Sequence, residues 1–263
     1  MTRTLAVANQ KGGVAKTTTA VSLGVAFAEL GRRVLLVDLD PQACLTFSLG
    51  LDPEALDLSV HDVLLGRVSA GMALHKTSDG PDVLPATIDL AGCEAMLLTR
   101  TGREFALRGA LEELGQGYDD VVIDCPPSLG VLTINGLTAA DEVLIPLQCE
   151  TLSHRGVGQL LDTVHDVQRL TNRGLAVLGV LPTLYDGRTN HAREVLADVS
   201  TRYGLPVLEP AIAKSVRFAE APAAGRSVLS TATRTPGAQA YRELARRLAG
   251  IAAAATEPEG AST

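Results

Sequence analysis

Tryptophan is absent from the 263 residues and aromatic side chains make up only 3% of them, while 46% are hydrophobic. A core of this make-up is aliphatic, as in Val/Ile/Leu-rich parallel strands covered by Ala/Leu helices. No apolar run approaches the roughly 20 residues that a membrane-spanning helix needs, and the N-terminus lacks the pattern of a secretory signal. The expectation is a cytoplasmic protein with no membrane partner. The four cysteines, Cys44, Cys93, Cys125 and Cys149, form no C-x-x-C pair, which reads as reduced, mostly buried thiols rather than a disulfide framework or metal cluster. Positive charge is also short. A net charge of −7 excludes a protein that coats nucleic acid constitutively, so any DNA contact must come from a local patch.

Only four of the 23 basic residues are lysine, and two of these, Lys11 and Lys16, fall in one stretch, Ala8-Asn9-Gln10-Lys11-Gly12-Gly13-Val14-Ala15-Lys16-Thr17-Thr18. It follows the apolar run Leu5 to Ala8 and opens into a helical pattern from Thr17 to Leu30, so it sits at a strand-to-helix turn. Backbone N–H groups of such a turn, together with the helix N-terminus, cradle phosphate. Lys16 can reach the β- and γ-phosphates, and the Thr17 hydroxyl can face Mg²⁺. The strict pattern G-x-x-x-x-G-K-[ST] is not met, because Gln10 and Ala15 stand where its glycines belong.

Lys-Gly-Gly-Val-Ala-Lys-Thr-Thr resembles the deviant Walker A motif, K-G-G-x-G-K-[ST], of the ParA/MinD superfamily of ATPases. With Val37-Asp38-Leu39-Asp40-Pro41-Gln42, the likeness is to the ParA/Soj branch, over about residues 3 to 248. It implies an α/β P-loop NTPase fold, a mostly parallel twisted sheet with helices on both faces, as a single domain over residues 1–250, followed by a disordered tail over 251–263. It also implies that ATP and Mg²⁺ are bound, that ATP drives a homodimer, that the dimer binds DNA non-specifically and associates with the nucleoid, and that a ParB-type protein activates slow hydrolysis. The ATP contacts would be Lys11, Gly12, Gly13, Val14, Ala15, Lys16, Thr17 and Thr18, with the adenine near Thr183, Pro210 and Ile212.

The apolar run Val34 to Val37 delivers Asp38 and Asp40 to the carboxyl edge of the sheet, where ligands bind in open α/β folds. By the resemblance, Asp40 positions the attacking water and Asp38 lies near the Mg²⁺ shell. The β-branched run Val121-Val122-Ile123 ends in Asp124, the way a Walker B carboxylate is presented, to hold Mg²⁺. Lys11 either crosses to the partner's ATP or pairs with Asp40 or Asp124 in its own subunit. Residues 44–52 are expected to be a mobile segment sensing the γ-phosphate, and His61 to lie on the surface side of a short capped helix. Lys214-Ser215-Val216-Arg217-Phe218-Ala219-Glu220-Ala221-Pro222 resembles a family stretch of the form I-P-[RK]-[NS]-V-R-x-[SA]-E-A-P, with Ala213 in place of its proline. Arg188, Lys214 and Arg217 are the candidate DNA contacts, in a segment near neutral where the whole chain is acidic.

Two other functions share this fold. A MinD-like, membrane-recruited ATPase needs a basic amphipathic C-terminal helix, and the tail is instead small, apolar and acidic. A biosynthetic ligase of the dethiobiotin or cobyrinate-amidating type needs a small-molecule substrate motif, and none is visible. A nucleotide switch that binds without hydrolysing also stays open, because of Ala15.

Overall fold

The computed structural model describes residues 2–150 and 153–251; the expected tail lies outside the described residues, apart from Ile251. The order of elements is β1 (Arg3–Val7), α1 (Lys16–Glu29), β2 (Val34–Asp38), α2 (Cys44–Ser48), α3 (Val60–Leu64), β3 (His75–Lys76), β4 (Asp82–Leu84), α4 (Leu90–Leu98) and α5 (Ala106–Glu113). There follow β5 (Asp120–Asp124), α6 (Val131–Ala139), β6 (Glu142–Gln148), α7 (Ser153–Leu170), β7 (Ala176–Thr183), α8 (Asn190–Tyr203), α9 (Arg217–Glu220), α10 (Val228–Thr231) and α11 (Pro236–Leu248). The seven strands form one sheet in the order β3-β4-β2-β5-β1-β6-β7. Every pairing is parallel except β3 with β4.

Strand periodicity divides the core into two layers. Ala6, Leu35, Val37, Leu84, Val121, Ile123, Val143 and Ile145 face one way, against residues of α3 to α8. Leu5, Val7, Leu36, Val83, Val122 and Leu144 face the other way, against α1, α2, α10 and α11. Helix α1 is enclosed between sheet and α11, and the Thr19 and Tyr241 hydroxyls bond at 2.9 Å across that contact. Helices therefore cover both faces, as the sequence implied. None of the described helices is long and apolar enough to cross a membrane.

The strand register fixes the site. Val7 is level with Asp124, and Asp124 is level with Asp38, so three strands deliver the Gly-rich turn and two carboxylates to the same edge.

Residues 44–48 of the segment expected to sense the γ-phosphate form α2, tied to β2 because the Asp38 Oδ2 accepts from both the Thr46 N–H (2.9 Å) and the Thr46 hydroxyl (2.7 Å). Two expectations are corrected. The His61 side chain is only 12% exposed, with its Nδ1 3.5 Å from Asp62, because α3 is held down by a capping box between Ser59 and Asp62. Of the four free cysteines only Cys93 and Cys125 are buried, whereas Cys44 is exposed.

Candidate nucleotide site

The turn after β1 is held from both sides. Asn9, buried at 2% exposure, donates from Nδ2 to the Pro146 carbonyl (2.7 Å) and accepts the Lys11 N–H (3.0 Å). On the far side the Thr183 hydroxyl donates to the Val14 carbonyl at 2.9 Å. Gly13 has a positive φ of 74°, and a side chain built on Gly12 or Gly13 would meet no atom within 4 Å. The glycines thus leave open space over the loop amides, as a phosphate cradle requires. Ala15 also lies in the left-handed region, at φ 64°, and caps α1. This is why the motif favours glycine here: a Cβ in that conformation costs about 1–2 kcal/mol.

The two lysines point to different surroundings. Lys16 is buried, and its Nζ donates to the Lys11 carbonyl at 3.1 Å. Burial lowers its pKa, partly offset by the charges of Asp124 and Asp40. The Lys11 ammonium is instead ion-paired with Glu150 at the exit of β6. Pairing with Asp40 or Asp124 is therefore corrected. The stem of Lys11 runs along the β6–α7 side, where a Cβ on Gly156 would lie 4.0 Å from that of Lys11 and 3.4 Å from the Asn9 Oδ1.

The three carboxylates are distinct chemically. Both oxygens of Asp124 are buried without a hydrogen-bond partner. Burial, then the charge of Asp38, push its pKa well up, against smaller opposing effects from the nearby Thr17 hydroxyl and from Lys16. Asp38 is fully buried too, but accepts from Thr46 and, at 3.1 Å, from the Asp40 N–H. Its pKa rises to about 6, chiefly through burial. Asp40 is half-buried, with Oδ1 accepting the Gln42 N–H at 2.9 Å. A buried oxygen pair without a hydrogen-bond partner in good geometry, with the hydroxyl of Thr17 at the start of α1 beside it, suits a hard divalent cation. The residues present therefore fit Mg²⁺, with Thr17 and Asp124 as the nearest donors and Asp38 behind them.

The other predicted residues gather on the β7 side. Thr183 is buried and Pro210 half-buried, while Ile212 packs into the core and donates its N–H to the Pro182 carbonyl at 2.8 Å. An isolated parallel bridge joins Tyr185 to Ala213, so the segments carrying Arg188, Lys214 and Arg217 run side by side. All three are exposed. Arg188 pairs with Asp186 at 2.8 Å and Arg217 with Glu220 at 2.7 Å. Sequence reasoning assigned no role to Asn9, Thr46 or Glu150. A buried amide and a hydroxyl each serving a carbonyl or carboxylate across the sheet leave no spacing signal.

A doubly wound parallel sheet with this turn, an ion-ready carboxylate and a buried lysine defines a P-loop nucleotide-binding protein. A family model described as an AAA domain matches residues 2–177. The chain is 44% identical over 250 residues to the sporulation initiation inhibitor protein Soj of Bacillus subtilis, covering 95% of this chain and 99% of Soj. It is 44% identical over 249 residues to the chromosome partitioning protein ParA of Caulobacter vibrioides, covering 94% and 93%. A solved Mycobacterium smegmatis structure, bearing the name cobyrinic acid a,c-diamide synthase and holding an ATP analogue and magnesium, superposes with a TM-score of 0.86 at 60% identity, covering 95% of each chain. The chain belongs to the Soj/ParA family of chromosome-partitioning ATPases within the ParA/MinD superfamily.

Proposed function

We propose that this protein is a Mg²⁺-ATP-dependent ATPase that dimerises on ATP, binds duplex DNA without sequence preference in that state, and acts in partitioning or positioning a cargo. The observation that carries the reading is the divergence of the two loop lysines. Lys16 is buried beside Asp124 within its own subunit, while Lys11 reaches out of the loop to a half-exposed carboxylate.

In this reading the amides of Gly12 to Thr18 and the Lys16 ammonium bind the β- and γ-phosphates. Thr17 and Asp124 hold Mg²⁺, with Asp38 in support. Bound Mg²⁺ would neutralise charge on the phosphate oxygens. Asp40, half-buried just beyond the end of β2, orients the attacking water. Thr183, Pro210 and Ile212 border the base. Lys11 leaves Glu150 and adds its charge to the partner's triphosphate, which makes closure of two subunits favourable. The loop holds no arginine, so intrinsic turnover is slow and a ParB-type partner accelerates it. Arg188, Lys214 and Arg217 contact DNA phosphates, exchanging exposed ion pairs that are worth little in water. A cytoplasmic location, on the nucleoid when ATP is bound, follows.

The test is binding to random-sequence duplex DNA with ATP, ADP or no nucleotide across a salt series. Tight, salt-sensitive binding with ATP alone supports the proposal, and Arg188→Ala with Arg217→Ala should flatten the salt slope by about 0.9 for each phosphate that is no longer neutralised. Nucleotide-independent binding, or none at low salt, overturns the DNA step. A second reading, ATP-driven amidation of a carboxylate, is favoured by the name carried by the M. smegmatis protein. ADP release that depends on both glutamine and cobyrinic acid would support it over partitioning.

A further inference from the structure

Among the described residues three that are not glycine have φ in the left-handed region, Ala15, Ala43 and Leu184, at 64°, 51° and 50°. Ala15 and Ala43 each stand immediately before a helix, as the caps of α1 and α2. Leu184 caps nothing: β7 ends at Thr183, and the cap of α8 is Thr189. A left-handed leucine is disfavoured on the order of tenfold in population. Its side chain is half-buried and belongs to neither hydrophobic layer, so core packing does not hold it there.

What holds Leu184 are its two neighbours. On one side Thr183 is level with Gln148 of β6 and donates its hydroxyl to the Val14 carbonyl at 2.9 Å. On the other side Tyr185 donates its N–H to the Ile212 carbonyl at 2.9 Å and bridges to Ala213. Arg188 lies three residues beyond Tyr185, and Lys214 directly follows Ala213. One strained step thus separates the residue that clamps the nucleotide turn from the pairing that sets two exposed cations side by side. The clamp also responds to what the turn holds. The Val14 carbonyl and the Ala15 N–H belong to one rigid peptide plane. A phosphate that accepts from this N–H polarises the carbonyl and strengthens its bond to Thr183.

We propose that Leu184 is a hinge coupling the nucleotide turn to the surface that carries Arg188 and Lys214. Phosphate in the turn tightens the Thr183 clamp and so favours the left-handed step, which docks Tyr185 against residues 212–213 and sets Arg188 beside Lys214. With the turn empty, the strain brings an open arrangement, with an ordinary negative φ at Leu184, close in free energy. The inference rests on the proposed binding of Mg²⁺-ATP and adds the path by which that binding reaches the candidate DNA contacts. Ligand and hinge share one equilibrium, so whatever eases the left-handed step must tighten ATP in return.

The experiment is hydrogen exchange read by mass spectrometry on the full chain, titrated with Mg²⁺-ATP. In the parent, the amides of residues 184–188 should slow together with those of 12–18. Leu184→Gly removes the left-handed penalty and should lower the ATP midpoint. Leu184→Ile, whose branched Cβ raises that penalty, should raise the midpoint, with the two variants about tenfold apart. A position of merely structural importance would move both variants the same way. Should Leu184→Ile not fold, Leu184→Asn, which also tolerates the left-handed region, must lower the midpoint as glycine does. Protection of 12–18 with none at 184–188, or midpoints that stay parental or move in one direction for glycine and isoleucine, would overturn the hinge while leaving ATP binding in place. No protection of 12–18 would overturn the ATP reading and the hinge with it. A hinge response in a chain that binds no DNA supports the inference and overturns only the DNA step of the proposed function.

Discussion

Replacing Asp124 by asparagine should stabilise the nucleotide-free protein while removing its response to Mg²⁺-ATP. Both oxygens of Asp124 are buried without a hydrogen-bond partner, and burial with the neighbouring Asp38 charge raises its pKa well above the usual 3.8. Between those two values the folded chain holds a proton that the unfolded chain has released, so this carboxyl makes stability fall as pH climbs through the window. The amide removes that loss. The amide stays a buried polar group at this place, so what it removes is only the extra cost of burying a charge; set against the counter-charge that the Lys16 ammonium loses, the net gain is on the order of 1–2 kcal/mol. At about 2–4 °C per kcal/mol for a chain of this size, the variant should melt about 2–8 °C above the parent at pH 8. That gap should narrow as pH falls toward 4. The parent should gain a further Mg²⁺-dependent shift with ATP, and the variant should gain none. Differential scanning fluorimetry across pH reads both quantities. A variant that melts below the parent at pH 8, or that keeps the full Mg²⁺-dependent shift, would refute the assignment of Asp124 as a cation-ready group.

Lys11→Ala should still bind ATP as a monomer yet form no ATP-dependent dimer; a dimer of normal mass by light scattering would refute a trans role. Ala15→Gly relieves a left-handed alanine worth about 1–2 kcal/mol and adds unfolded-state freedom of about 0.4–1 kcal/mol. Urea unfolding should show the variant more stable by about 0–1.6 kcal/mol, and a clear loss would contradict the strain argument. Thr183→Val leaves the Val14 carbonyl without its 2.9 Å donor. It should cost about 1–3 kcal/mol and weaken nucleotide binding measured by calorimetry.

The sequence carried the fold where hydrophobic pattern and strand-end chemistry agree. The apolar runs before Lys11, Asp38 and Asp124 become β1, β2 and β5, and their shared register puts these residues at one edge. It missed α6, because Val131-Leu132-Thr133 and Asn135-Gly136-Leu137-Thr138 are buried all round and so show no amphipathic stripe. Gly136 confirms that enclosure: a Cβ there would stand 2.8 Å from the Cys125 sulfur. Partners chosen by three-dimensional proximity were equally illegible. Lys11 with Glu150 spans 139 positions, and Thr183 with Val14 spans 169. Thr46 drew no role because nothing local says that a buried aspartate eight residues earlier will bind it.

These concealed contacts share a direction. Asn9, Thr183 and the register of β1, β2 and β5 hold the turn rigidly, whereas the groups facing its open space are left in unfavourable states. Ala15 is in a left-handed conformation, the Lys16 pKa is depressed by burial, and Asp124 has no donor. A fold that optimised only its own stability would have removed each, since strain of this kind persists where the surroundings over-determine it. A bound polyphosphate with its cation would compensate two of the three at once, giving Lys16 its anion and Asp124 its counter-charge. The third, Ala15, stays strained whether or not ligand is present. It therefore bears on the stability of the loop, and the effect of Ala15→Gly should be the same size with and without Mg²⁺-ATP.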